Sequence, residues 1–128
     1  LDEPRERVVD PSVDATKIML ASVDADIAAE NFSAAAGSIE RAIQISPSDS
    51  WAWHKLAKLR FAQGQHAEAK AIARRSNSLS GAGGDVQIAN LLLIARIERL
   101  NGNATAAKQA QAQADRISAE KIELRETK

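Results

Sequence analysis

Apolar and alanine positions recur along the chain at spacings of three and four, broken at short intervals by turn residues. Asp10-Pro11 reads as a helix start, because Asp caps and Pro is tolerated in the first helical turn. From there the helical period runs to Glu30 and resumes from Ser33 to Ile45, where Ser46-Pro47 stops it. Ser48-Asp49 offers the next cap, and a third stretch ends at Gln63-Gly64. A fourth spans His66 to Leu79 and gives way to the glycine-rich segment at residues 81–84. Asp85 reads as the cap of a fifth helix reaching Leu100, and after Asn101-Gly102 a sixth runs from about Ala104 to about Glu123. No segment alternates with a period of two over a strand's length, so the pattern predicts an all-α chain.

The punctuation itself repeats. A shift of 34 residues lays Asn31-Phe32 on Gln65-His66, Ala35 on Ala69 and Ile45 on Leu79. A third copy starts at about Ile88, four residues late because the preceding loop is longer, and Asn101-Gly102-Asn103 with Ala107 repeats Gln63-Gly64-Gln65 with Ala69. A 34-residue helix–turn–helix period is the tetratricopeptide signature. The expected fold is three such repeats, at about 16–49, 50–83 and 88–121, forming a short right-handed superhelix with a long C-terminal capping helix. They form one domain over residues 11–128, and the charged, Pro4-containing residues 1–10 read as a flexible tail or linker end. Trp53, Leu56 and Ala57 share a face of the second repeat's first helix, and small Ala35, Ala69 and Ala107 let each second helix approach closely. The repeats carry Val23, Ala57 and Ala95 where Gly is usual, and charged Asp26, Arg60 and Glu98 where Tyr is usual.

Composition agrees with helix. Of 128 residues, 26 are Ala, against six Gly, three Pro and no Tyr, and Ala is the best helix former. The absence of Cys excludes thiol catalysis and disulfide staples, and no apolar run is long enough to span a bilayer. Seventeen basic and seventeen acidic side chains argue against a dedicated nucleic-acid binder. That neutrality is uneven: residues 1–50 hold 10 acids and 4 bases, whereas residues 51–128 hold 7 acids and 13 bases. Stacked in order, the repeats put an acidic hairpin at one end and a basic middle and end beyond it.

Chemistry has little foothold. His54 and His66 fall on different helices without a partner at ligand spacing, and Asp24 and Asp26 point apart on a helix. The glycine segment lacks the Lys-Ser/Thr of a phosphate loop. No enzyme, metal or cofactor is expected, and what remains is binding.

The tetratricopeptide resemblance implies a concave groove lined by the first helix of each repeat. The matching residues are Lys17, Leu20, Asp24 and Ile27, then Trp51, His54, Lys58 and Phe61, then Ala89, Leu92, Arg96 and Arg99. From these, Lys17, Asp24, Trp51, His54, Lys58, Phe61, Arg96 and Arg99 are the expected partner contacts. Their mixture of aromatic platforms and cations suits a protein segment bringing apolar anchors and a carboxylate. Leu20, Asp24 and Lys55 stand where the clamp for chaperone C-terminal tails needs Lys and Asn, so that ligand is set aside.

The stretch from Trp53 to Arg60, with Gln63-Gly64-Gln65, Arg75–Leu79, Leu93-Ile94-Ala95 and Asn101-Gly102-Asn103, resembles small exported tetratricopeptide lipoproteins of Gram-negative bacteria. Within that group it is most similar to outer-membrane activators of a bifunctional class A penicillin-binding protein. This resemblance, over residues 16–115, implies a monomeric periplasmic domain that docks on the synthase, with a lipidated Cys upstream of residue 1. The alternative is a generic tetratricopeptide adaptor in the cytosol or periplasm. A gene opening directly on a soluble helix would favour it.

Overall fold

The computed structural model describes residues 11–81 and 84–126, which form seven helices and no strand. They are α1 (Pro11–Leu20), α2 (Val23–Ala28), α3 (Phe32–Ile45), α4 (Ser50–Ala62), α5 (His66–Ser80), α6 (Asp85–Leu100) and α7 (Ala104–Glu126). Helices α4 with α5, and α6 with α7, form hairpins; α1 and α2 together make the first hairpin with α3. Neighbouring hairpins stack through α3 on α4 and α5 on α6. This is the all-α stack of three tetratricopeptide-like hairpins expected from the period. The reading of residues 1–10 as a tail, and of Asp10 as a cap, lies outside the described residues.

The small-residue logic holds throughout. Val23, Ala57 and Ala95 on the first helices are fully buried, as are Ala35 and Ala69 on the second helices, with Ala107 nearly so. With alanine at five of these six positions and only Val23 branched, paired helices approach closely. All three hairpins turn in the same way. The N–H of residues 30, 64 and 102 bonds the carbonyls of Ile27, Phe61 and Arg99, and the next N–H reaches back to Asp26, Arg60 and Glu98. This double bond closes a Schellman motif, whose pivot lies in the left-handed region. Gly64 and Gly102 adopt it at φ 81°, but the first repeat uses Glu30 at φ 62°, where a Cβ is a steric cost.

Three local features differ from the sequence expectation. The helix expected to run unbroken from Pro11 to Glu30 divides at Ala21-Ser22, where the N–H of Ala21 bonds Ile18 in a tighter turn and the ladder resumes from Ser22. No Gly or Pro marks this break, and Leu20 and Val23 on either side of it are buried in one cluster. Asp85 does not cap α6: Gly84 holds the cap position without a side-chain bond, and Asp85 instead pairs with Lys121 near the end of α7. That pair holds α7 alongside the start of α6, and the helix continues to Glu126. By contrast Asp49 caps α4 as expected, accepting from the N–H groups of Trp51 (3.0 Å) and Ala52 (3.3 Å).

The core falls into two clusters that differ in character along the stack. Between repeats one and two it is apolar, with Leu20, Val23, Ile39, Ala42, Ala52 and Leu59 in one cluster. Ile39 and Leu59 are wholly buried, each contributing about 1.5–3 kcal/mol. Between repeats two and three the apolar part is slighter, built on Ala57, Ala73, Ile94, Ala95 and Ala110. Ile72 and Leu93 pack against it, and hydrogen bonds between buried polar side chains supplement these contacts.

Candidate partner-binding surface

The first helices of the hairpins carry a line of charged and aromatic side chains that link one repeat to the next. Asp24 of α2 receives hydrogen bonds from both lysines of α4: Lys55 Nζ at 2.9 and 3.0 Å and Lys58 Nζ at 2.9 Å. Partial burial alone would raise the Asp24 pKa, but hydrogen bonds and charge from Lys58 and Lys55 outweigh it and hold the carboxyl below its ordinary range. One repeat further, the Arg96 guanidinium lies 4.9 Å over the Phe61 ring, whose other neighbour is the stacked His66 ring at 5.2 Å. Beside the Asp24 cluster, Thr16, Lys17, Leu20, Asp49, Trp51 and Lys55 line an open cleft of about 360 Å³. Trp51 remains 41% exposed there, a large apolar side chain presented to solvent.

Beneath this surface lies a buried polar network. His54 Nδ1 donates to Asn90 Oδ1 (2.7 Å), a direction fixed because Asn90 Nδ2 is itself a donor to Ser76 Oγ (2.8 Å) and Asn77 Oδ1 (2.9 Å). Ser76 Oγ in turn donates to the carbonyl of Ser50 (2.7 Å). Asn90 and Ser76 are fully buried, and the Asn90 amide and the Ser76 hydroxyl are both hydrogen-bonded within this chain. Burial pushes the His54 pKa below its ordinary 6.5; the lysine charges add to the shift, while the Asn90 bond and Asp24 oppose it. The imidazole is therefore neutral and structural near neutral pH. A second polar tie, Lys70 Nζ to Glu98 at 3.1 Å, joins α5 to α6. Hydrogen bonds from Asn103 and Lys70 hold the Glu98 pKa below its ordinary value.

The structure thus brings together Lys17, Asp24, Trp51 and Lys58 around the first junction, and Phe61 with Arg96 at the second. Two expected contacts sit elsewhere. His54 is 6% exposed and its ring meets the Trp51 ring edge-on at 5.5 Å, so it supports the surface from within rather than offering itself to a partner. Arg99 is exposed but lines a cleft between α6 and α7. Lys58 is also not a free cation, since Asp24 holds it. Lys55 is the residue that sequence reasoning passed over. Its signal is its place one residue beyond His54 and three before Lys58, which leaves it facing Asp24 from the same helix. Among the described residues no group of three or more His, Asp or Glu is placed to hold a metal ion, and no helix is long and apolar enough to cross a membrane.

Comparison with known proteins places this geometry. Residues 26–78 match the family model described as tetratricopeptide repeat. None of the curated proteins matches the chain. Among solved structures, the globular C-terminal domain of P. aeruginosa LpoP is similar, at 29% identity and a TM-score of 0.72, over 84% of this chain and 99% of that domain. The fold is a tetratricopeptide-repeat fold of the LpoP type, a protein-interaction module.

Proposed function

We propose that this domain docks on a bifunctional class A penicillin-binding protein in the periplasm and activates it. It does no chemistry of its own. The observation that carries this reading is the likeness to the LpoP C-terminal domain across 84% of the chain, joined to the activator resemblance in the sequence. Residues 1–10 then form the end of a tether and residues 11–128 a monomeric docking domain. A lipidated Cys encoded upstream of Leu1 anchors the tether to the outer membrane.

The docking face is the line of first helices. Trp51 and the cleft beside Leu20 accept an apolar anchor, while Lys17, Lys55 and Arg96 face a carboxylate-bearing segment. A carboxylate entering beside Lys55 and Lys58 competes with Asp24 for the same ammonium groups, so Asp24 selects against weakly charged partners. Activation follows from differential binding: a domain that binds the synthase's active conformation ten times more tightly shifts that equilibrium by about 1.4 kcal/mol.

The test is addition of the purified domain to the cognate synthase, with glycan polymerisation and crosslinking as readouts. Stimulation that saturates with domain concentration is expected. Absence of both binding and stimulation would discard the proposal, as would an upstream coding sequence lacking a signal peptide and lipobox Cys.

A further inference from the structure

Two lysines of α4 converge on a carboxylate that another helix supplies. Lys55 and Lys58 donate to Asp24 of α2 at 2.9 to 3.0 Å. Any carboxylate held there would receive the same bonds, so the lysine pair is a carboxylate seat and Asp24 is its internal occupant. The charges do not balance. One carboxylate faces two ammonium groups, and the position of Asp24 in the first repeat holds Lys58 in the second and Arg96 in the third. Arg96 rests on the Phe61 ring and has no carboxylate partner among the described residues. The occupant is also accessible: the Asp24 side chain is 55% exposed, against 18% for Lys55 and 35% for Lys58. An ion pair this open to water contributes little to stability and can be exchanged. Lys55 joins the seat to the apolar cleft, which it lines beside Leu20 and Trp51.

We propose that Asp24 is an autoinhibitory plug, displaced on docking by an acidic side chain of the partner protein whose neighbouring aliphatic residue enters the Trp51 cleft. The choice of face rests on the docking reading above, and the plug adds how that face is regulated. In the free domain Asp24 keeps the two lysines from other anions. An acidic side chain arriving alone gains little, because one carboxylate merely replaces another. Arriving beside an aliphatic anchor, it is held next to the seat at high effective concentration, and the exchange turns in its favour. Released Asp24 already faces water and loses no buried contact. The sign of its removal separates this role from a structural one. A pair that only tied α2 to α4 would leave the face looser and binding weaker when Asp24 is lost. A plug leaves binding stronger.

The probe is the peptide acetyl-Leu-Ala-Glu-amide, whose first and third side chains share a face when extended, beside its Gln counterpart. Each is titrated into the isotope-labelled intact domain and followed by NMR. The native domain should bind the Glu peptide in the millimolar range, with shifts at Leu20, Trp51 and Lys55. Asp24→Asn should tighten the Glu peptide about threefold and leave the Gln peptide unchanged. Lys55→Gln with Lys58→Gln should erase the preference for Glu over Gln, in a domain whose melting curve shows it folded. Equal affinity in the native and Asp24→Asn domains, a gain shared by the Gln peptide, or shifts away from the cleft would each overturn the plug. So would no binding to the Asp24→Asn domain up to about 50 mM peptide. A synthase that binds neither domain would discard the docking proposal instead, and the peptide result stands apart from it.

Discussion

The two junctions of the stack use the same four positions in opposite ways. Between repeats one and two these positions hold Leu20, Ala42, Ile43 and Ala52, an apolar contact with nothing to satisfy. Shifted by the repeat, they become His54, Ser76, Asn77 and Asn90, a hydrogen-bonded chain around a fully buried amide. The fold is indifferent to the choice, because both sets fill the space between the same helices. Their failure modes differ: an apolar junction loses stability in proportion to what is removed, whereas a polar one is worst when half dismantled.

The largest expected effect tests the apolar junction. Leu59→Ala should cost about 3 kcal/mol, read as a lower urea midpoint with unchanged slope. At the polar junction Asn90→Ala should cost about 2 kcal/mol by stranding the His54 and Ser76 groups. The sharper comparison converts one junction into the other. With His54→Leu, Ser76→Ala, Asn77→Ile and Asn90→Ala together, the cost should be smaller than for Asn90→Ala alone, because no polar group is left behind. A quadruple variant less stable than the single one would show that the network contributes more than its satisfaction.

The junctions should also separate with pH. The His54 pKa is lower in the folded protein than in the unfolded chain, so the unfolded state takes up a proton first as pH falls. Stability is then full above about 6.5 and declines below it towards the folded value, before the Asp24 and Glu98 carboxylates begin to protonate at more acidic pH. Urea midpoints between about pH 7.5 and pH 5 should fall in the native domain and stay flatter in the converted variant. The smallest effect belongs to the first turn. Glu30→Gly gives the left-handed pivot the residue used at 64 and 102, and should raise stability by about 0.5 kcal/mol in thermal melts.

This contrast also explains what was legible in the sequence. The period, the turns and the close-packed alanines follow from local patterning, and the structure buries Val23, Ala57 and Ala95 alike because each repeat needs the same crossing. The facing of His54 does not follow, since its partner Asn90 is 36 residues away and helical spacing cannot tell an inward imidazole from an outward one. A trace was present: four positions that are apolar at the first junction turn polar together at the second. The break at Ala21-Ser22 had no such trace, being a change in backbone bonding without Gly or Pro. Arg99 shares a helical face with Arg96, yet only the packing of α7 shows that it lines a cleft with that helix.

The first junction also carries the exposed tryptophan, and the account's central claim is that this face is where the partner docks. The direct measurement is the affinity of the synthase for the Trp51→Ala domain, with the native domain and both melting curves alongside. Because Trp51 is 41% exposed, the fold should survive its loss almost unchanged. Affinity should fall about tenfold or more, as for a central aromatic anchor. An unaltered affinity in a folded Trp51→Ala domain would contradict the account and move the interface elsewhere on the stack.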